Sequence, residues 1–221
     1  IRELPPNYFI VLYINESQDP ITLELQDSHG SHYVDIVYVE NQQDGGGLTG
    51  TWNKGINKCL QENCDVIITS GGVSMGDRDF VRKIMEEEGD IKFWRVKMRP
   101  GSPPIFGHWC GKPIFGLPGN PVSSHVVFRA LVAHWIRKTT GGEKPKEFEI
   151  DAKLAHDVKT SPNFTTFRRV SVYLDNTGYI AELKGHQGSG NIAGIAHSDG
   201  LTILGPESKG LAGETCRIML L

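Results

Sequence analysis

One local pattern occurs twice in this chain and limits the folds open to it. Val66-Ile67-Ile68-Thr69 is a short β-branched run that enters Ser70-Gly71-Gly72-Val73-Ser74-Met75-Gly76-Asp77, and an amphipathic stretch follows from Phe80 to Glu88. Lys112 to Phe115 likewise enters Gly116-Leu117-Pro118-Gly119-Asn120-Pro121, and a second amphipathic stretch runs from Val122 to Lys138. Strand, glycine-rich turn and helix in that order build a layered α/β domain, because each helix hides its apolar stripe against a sheet. The near-continuous apolar run Asp65 to Thr69 reads as a buried parallel strand.

The surrounding segments fit the same plan. Tyr8 to Ile14 and Tyr33 to Val39 read as strands, being rich in β-branched and aromatic residues. Leu48 to Glu62 reads as a helix, with Trp52, Ile56, Cys59 and Leu60 at helical spacing. Ile91 to Met98 reads as a strand. Ile105 to Trp109 and Lys112 to Phe115 flank Cys110-Gly111, a two-residue hairpin connection.

After Gly141-Gly142-Glu143-Lys144-Pro145, a turn or linker, the pattern changes. Short strands follow without a helix: Glu147 to Leu154, Thr166 to Leu174, Tyr179 to Lys184, Leu201 to Leu204 and Thr215 to Leu220. Asp175-Asn176-Thr177-Gly178 makes a hairpin turn. Short strands with turn signals suggest a small β-barrel or sandwich. The expected organisation is therefore a three-layer α/β domain with a mostly parallel sheet over residues 1–143, then a small all-β, barrel-like domain over residues 144–221.

Charge narrows the partners. Lys and Arg number 23 against 26 Asp and Glu, a net charge of −3. That balance opposes bulk attraction to nucleic acid or to an anionic membrane, and no apolar run is long enough to span a bilayer. The four cysteines, Cys59, Cys64, Cys110 and Cys216, form no CxxC pair and no zinc spacing, which fits a reducing, cytoplasmic setting. The opening Ile1-Arg2-Glu3-Leu4 is neither a signal peptide nor an initiator, so a fragment or a processed piece of a longer protein is expected.

The chemistry collects in three segments. The first is the loop carrying Ser70, Gly71, Gly72 and Ser74. Ligands gather at the carboxyl ends of strands in α/β sheets. Glycines let the backbone approach an anion, and successive N–H groups form a nest for it. A plain strand–helix turn is the bland alternative. Asp77 and Asp79 follow at the helix start. For Asp77 N-capping is favoured, whereas Asp79 could also bind Mg²⁺, a hard cation that prefers carboxylate oxygen.

The second segment is Trp94-Arg95-Val96-Lys97-Met98-Arg99-Pro100-Gly101-Ser102-Pro103. In an extended strand Arg95, Lys97 and Arg99 share a face. They could hold an oxyanion or merely guard a strand edge. The third is Pro118-Gly119-Asn120-Pro121. Asn120 suits the N-cap and Pro121 the first helical position, and a helix N-terminus there is a ready anion site.

These segments, with Gly185-His186-Gln187-Gly188-Ser189 further on, resemble the molybdopterin molybdotransferase family, which includes MoeA and the gephyrin E domain. The likeness is to the C-terminal portion of that family. It implies a molybdopterin-binding α/β domain followed by a β-barrel domain. It implies insertion of molybdate into adenylylated molybdopterin with release of AMP, Mg²⁺ support, a homodimer and contact with other proteins of cofactor biosynthesis. By position it implies catalytic roles for Asp79, Asp44 and Arg99, with Asp79 on the metal. It further implies ligand contacts for Ser70, Gly71, Gly72, Ser74, Lys97, Ser102, Pro118, Gly119, Asn120, Arg169 and Ser189.

Two features depart from the family pattern. Its Lys-Pro-Gly-Lys-Pro segment is Arg99-Pro100-Gly101-Ser102-Pro103 here, so position 102 lacks a charge. Its Thr-Gly-Asp-Glu stretch has no clear counterpart. A molybdopterin-binding module that is catalytically incomplete therefore stands as the alternative function. A scaffold role and adenylylation of the pterin are weaker readings.

Overall fold

The computed structural model describes residues 8–14, 34–40, 64–74, 79–139 and 148–221. The chain divides into two compact units, Ile1–Ile67 and Ile68–Leu221. In the first, strands β1 (Tyr8–Ile14) and β2 (Val34–Glu40) pair in parallel from Tyr8 opposite Val34 to Ile14 opposite Glu40. The helix expected over Leu48 to Glu62, Asp44, Asp77 and the linker around Gly141 to Pro145 lie outside the described residues.

A four-stranded sheet follows, from β3 (Ile67–Ser70), β4 (Asp90–Trp94), β6 (Ile105–Trp109) and β7 (Lys112–Leu117), in the order β3-β7-β6-β4. Thr69 Oγ1 donates to the Phe115 carbonyl at 3.4 Å, and the Gly71 N–H donates to the Leu117 carbonyl at 2.8 Å. The partners advance together, so β3 and β7 are parallel. The pairs β6–β7 and β4–β6 are antiparallel, and the sheet is mixed. Ile67 and Thr69 are buried whereas Ile68 is 40% exposed, so β3 alternates rather than being apolar on both sides. Cys110 and Gly111 take φ of 47° and 75°, the left-handed pair that lets a two-residue hairpin match strand twist.

Helix α1 (Phe80–Glu87) follows the first glycine loop. After the second come α2 (Pro121–Val127), a π-helical turn (Phe128–Val132) and α3 (Ala133–Thr139). The apolar stripe expected from Val122 to Lys138 therefore stays helical throughout, with one widened turn. Val73, Val81, Met85, Ile105, Ile114, Val122, Val126, Val127 and Val132 are all buried in the core. Burying each such aliphatic side chain contributes about 2 kcal/mol. Phe93, Phe106, Phe115 and Trp135 add an aromatic layer, with Phe106 and Phe115 ring centres 4.5 Å apart.

Five strands then close a barrel in the order β10-β11-β8-β13-β12: β8 (Glu149–Leu154), β10 (Arg169–Asp175), β11 (Gly178–Leu183), β12 (Gly200–Ile203) and β13 (Thr215–Leu220). Closure removes the unpaired strand edges that invite aggregation. Ala152, Leu154, Val170, Ala181, Cys216 and Ile218 point inward at alternate positions. One short helix, α4 (Ala193–Ala196), interrupts the region expected to be all strand. The expected strand Thr166 to Leu174 is split. Its first part, β9 (Thr165–Thr166), leaves the barrel and pairs in parallel with β5 (Met98–Arg99).

Candidate functional site

The two glycine-rich loops meet. A Cβ built on Gly119 would stand 3.3 Å from the Cα of Gly71, so the loops touch backbone to backbone where no side chain intervenes. Gly71 and Gly72 have φ of 91° and 70°, which side-chain-bearing residues adopt only with strain. Ser70 Oγ donates to the Pro118 carbonyl at 3.3 Å and lies 3.3 Å from Ser124 Oγ. Ser124 Oγ also donates to the Pro118 carbonyl. Ser70, Gly71, Pro118 and Gly119, proposed from two distant segments, are thus brought to one place. Ser124 was not foreseen, since a serine one turn into a helix carries no distinguishing signal.

The start of α2 differs from the expected open anion site. Asn120 caps the helix, its Oδ1 accepting from the Ser123 N–H at 3.4 Å, and its carbonyl accepts from the Ser124 N–H at 2.8 Å. Pro121 has no N–H. The Val122 N–H donates to the carbonyl of Ser189 at 3.3 Å. The first-turn donors therefore have protein partners in this conformation. Ser189 is the reason: its carbonyl takes the position an anion oxygen needs.

The three cations do not share one extended face. β4 stops at Trp94 because Arg95 adopts φ 69°, with its N–H donating to the Pro104 carbonyl at 3.0 Å. The Val96 N–H donates to the Ser102 carbonyl at 2.9 Å, and Ser102 Oγ donates back to the Val96 carbonyl at 3.3 Å. The chain bulges over residues 95–97 and resumes as β5. The guanidinium of Arg95 lies 4.7 Å from the Trp94 ring centre, and that of Arg99 lies 4.7 Å from the Phe164 ring centre. Lys97 is exposed. Arg95 and Arg99 are each placed by an aromatic contact rather than by strand periodicity.

Trp94, which the motif reading passed over, braces the first loop. Its indole N–H donates to the Val73 carbonyl at 3.0 Å. The Arg82 guanidinium also lies on the ring, 5.3 Å from its centre, and the Arg82 N–H donates to the Gly72 carbonyl at 3.1 Å. Ser74 is exposed at the end of this braced stretch.

Asp79 occupies the N-cap of α1, and its side chain makes no capping hydrogen bond. Among the described residues no group of three or more His, Cys, Asp or Glu is placed to hold a metal ion. Mg²⁺ commonly binds through one or two carboxylates together with substrate phosphate. Asp79 fits that mode, and the described residues build no preformed cage.

Arg169 is buried, 2% exposed. Its Nη2 donates to the carbonyls of His186 at 2.9 Å and Gly188 at 3.1 Å, while Gln187 exchanges two hydrogen bonds of 3.0 Å with its backbone. Burial, and then repulsion from Arg168, pushes the guanidinium below its ordinary pKa. Arg169 shapes the loop that carries Ser189. Asn120 Nδ2 in turn donates to Ser189 Oγ at 3.0 Å, so this loop and the second glycine loop are in direct contact.

Comparisons with known proteins agree with this layout. Residues 53–138 match the family described as "Probable molybdopterin binding domain", and residues 151–221 match "MoeA C-terminal region (domain IV)". The chain is 36% identical over 163 residues to a molybdopterin molybdenumtransferase of Haemophilus influenzae, covering 72% of this chain and 40% of the relative. It is 31% identical over 211 residues to one from Staphylococcus aureus strain MRSA252, covering 94% of this chain and 48% of the relative. The chain thus spans about half, or less, of these relatives' lengths.

Among solved structures, a molybdenum cofactor biosynthesis protein of Pyrococcus furiosus shares the fold at a TM-score of 0.64 and 21% identity, covering 99% of this chain and 69% of that one. A molybdopterin biosynthesis MoeA protein of Pyrococcus horikoshii does so at a TM-score of 0.64 and 24% identity, covering 95% of this chain and 51% of that one. With both glycine loops in contact and both family regions present in order, the chain belongs to the molybdopterin molybdotransferase family.

Proposed function

We propose that this chain is the pterin-binding and metal-inserting portion of a molybdopterin molybdotransferase, acting on adenylylated molybdopterin and molybdate and releasing AMP. The observation that carries the reading is the contact between the Ser70–Gly72 and Pro118–Asn120 loops at the ends of adjacent parallel strands. Such strand ends are where α/β sheets bind phosphorylated ligands.

In this reading Ser74 donates its hydroxyl, Ser70 does so once its bond to the Pro118 carbonyl opens, and the backbone around Gly71 and Gly72 approaches the pterin phosphate. Arg99 and Lys97 neutralise oxyanion charge, because cations aimed at developing negative charge lower the barrier to its transfer. Ser102 lines the same stretch. Asp79 would hold Mg²⁺, which supplies charge neutralisation at the phosphates, and Asp44 would be a second carboxylate. Arg169 and Ser189 act through the loop they share. A domain boundary at 143/144 belongs to the same proposal. A homodimer, contact with other proteins of cofactor biosynthesis and a cytoplasmic setting complete the proposal.

The test supplies adenylylated molybdopterin, molybdate and Mg²⁺ to the purified chain and measures AMP release and active cofactor. Release of both supports the proposal. Tight pterin binding with no AMP release would leave a binding module, and absence of both would overturn the proposal.

A further inference from the structure

We propose that Trp94 is the positioning residue of the first glycine loop: its indole N–H orients the Val73–Ser74 peptide so that the Ser74 N–H faces the pterin phosphate. This rests on the reading of that loop as the phosphate site.

The argument starts from peptide geometry. In a trans peptide the C=O of one residue and the N–H of the next point in opposite directions. The Gly72 carbonyl is held by the Arg82 N–H at 3.1 Å, and the Val73 carbonyl by Trp94 Nε1 at 3.0 Å. Fixing these carbonyls toward α1 and β4 turns the N–H groups of Val73 and Ser74 to the other side. Two successive N–H groups turned one way form the concave donor pair that takes an anion. The Gly72 carbonyl is held by a backbone donor that any residue at 82 supplies. The Val73 carbonyl depends on one side chain.

Trp94 is suited to that work. It is the last residue of β4, and the left-handed φ of 69° at Arg95 turns the chain away directly after it. A non-glycine residue in that region is strained. The indole is held by its neighbours: the guanidinium groups of Arg82 and Arg95 lie 5.3 and 4.7 Å from its ring centre, contacts that favour one ring placement. The Val73 side chain is itself 2% exposed, so the residue between the two carbonyls is anchored in the core.

The experiment replaces Trp94 by 3-benzothienylalanine, which keeps the ring shape and removes the N–H, alongside Trp94→Phe. Two readouts are taken on the whole chain: the NMR order parameter of the Ser74 amide without ligand, and the Kd for molybdopterin. Both variants are expected to drop that order parameter from the rigid range near ~0.85 toward the flexible range below ~0.6 and to bind molybdopterin about tenfold more weakly, the size of one lost hydrogen bond. Amide hydrogen exchange in the α2 core is expected to be unchanged for the sulfur isostere, which separates positioning from packing. An unchanged Ser74 order parameter overturns the assignment with or without ligand. Wild-type binding matched by the isostere overturns it while sparing the phosphate reading. Failure of the wild type to bind overturns the phosphate reading and this assignment together.

Discussion

Ser189 lies on Asn120, with Asn120 Nδ2 donating to its Oγ at 3.0 Å and its carbonyl accepting from Val122 at 3.3 Å. A loop after the barrel strand β11 thus occupies the start of α2. If the second glycine loop receives a phosphate oxygen, this contact must open first. Ser189→Ala removes the side-chain half of the contact. Losing one exposed hydrogen bond of about 1 kcal/mol should speed exchange of the Val122 amide about fivefold. Hydrogen exchange read by NMR checks it. An unchanged Val122 rate would show that the loop is held by something other than this pair.

How the loop is held from below leads to a second prediction. Arg169 is a buried cation, and each carbonyl it serves has another donor: Asn191 Nδ2 reaches His186 at 2.9 Å, and the Asn191 N–H reaches Gly188 at 3.1 Å. Removing the charge therefore leaves neither carbonyl unpaired. Keeping the charge on a side chain without the planar fork is worse, since a buried cation with poorer hydrogen bonds retains its desolvation penalty. Arg169→Met should cost about 1 kcal/mol and Arg169→Lys about 2–3 kcal/mol. Urea midpoints for the two variants decide this, and the reverse order would contradict the argument.

These two features show where sequence reading stopped. Tyr8–Ile14 and Thr215–Leu220 were legible to the residue, the first because its dense β-branched and aromatic run leaves one reading open. Cys110-Gly111 was legible because only two residues separate its strands. The end of β4 was not. Val96 and Met98 continue a strand pattern past Trp94, and the break at Arg95 arises from partners distant in sequence or across the fold: Pro104, Ser102 and Thr165. The π-helical turn was hidden because it preserves the apolar stripe. Its visible partner is Arg129, within the turn, whose Nη2 donates to the Leu220 carbonyl at 2.8 Å. In the site, glycine and serine motifs were legible because they are contiguous. The placement of Trp94 under Val73, and of Ser189 over Val122, depends on packing that no local pattern encodes.

The cysteines offer a third test. Cys216 is buried in the barrel core, and burial, then the charges of Glu214 and Asp151, push its thiol up to about 11. Cys110 is exposed at the hairpin tip. Because the thiolate is the reactive form, iodoacetamide at neutral pH should label Cys110 in the folded chain and Cys216 only after denaturation. A linked effect has a definite sign. The folded pKa lies above the unfolded value near 9.0, so this contribution is complete below pH 9 and is lost as pH rises from about 9 to about 11. Cys216→Ala should flatten the fall in stability over that range, measured by urea unfolding at each pH.

The last prediction concerns the position where this chain lacks a charge. Ser102 Oγ makes one long hydrogen bond to the Val96 carbonyl, 3.3 Å, whereas the loop is closed by the backbone bond from Val96 N–H to the Ser102 carbonyl. Ser102→Lys keeps the backbone bond, so it should cost at most about 1 kcal/mol of stability. It places a fourth cation in the stretch of Arg95, Lys97 and Arg99. Two unit charges about 4 Å apart near a protein surface interact by several kcal/mol before screening, so even a discounted gain should be visible. The variant should lower the KM for molybdate about three- to tenfold, with a steeper dependence on salt. The fold should be intact by its thermal transition. An unchanged KM at low ionic strength would mean that position 102 does not face the oxyanion, and Lys97 and Arg99 would then be left to carry it.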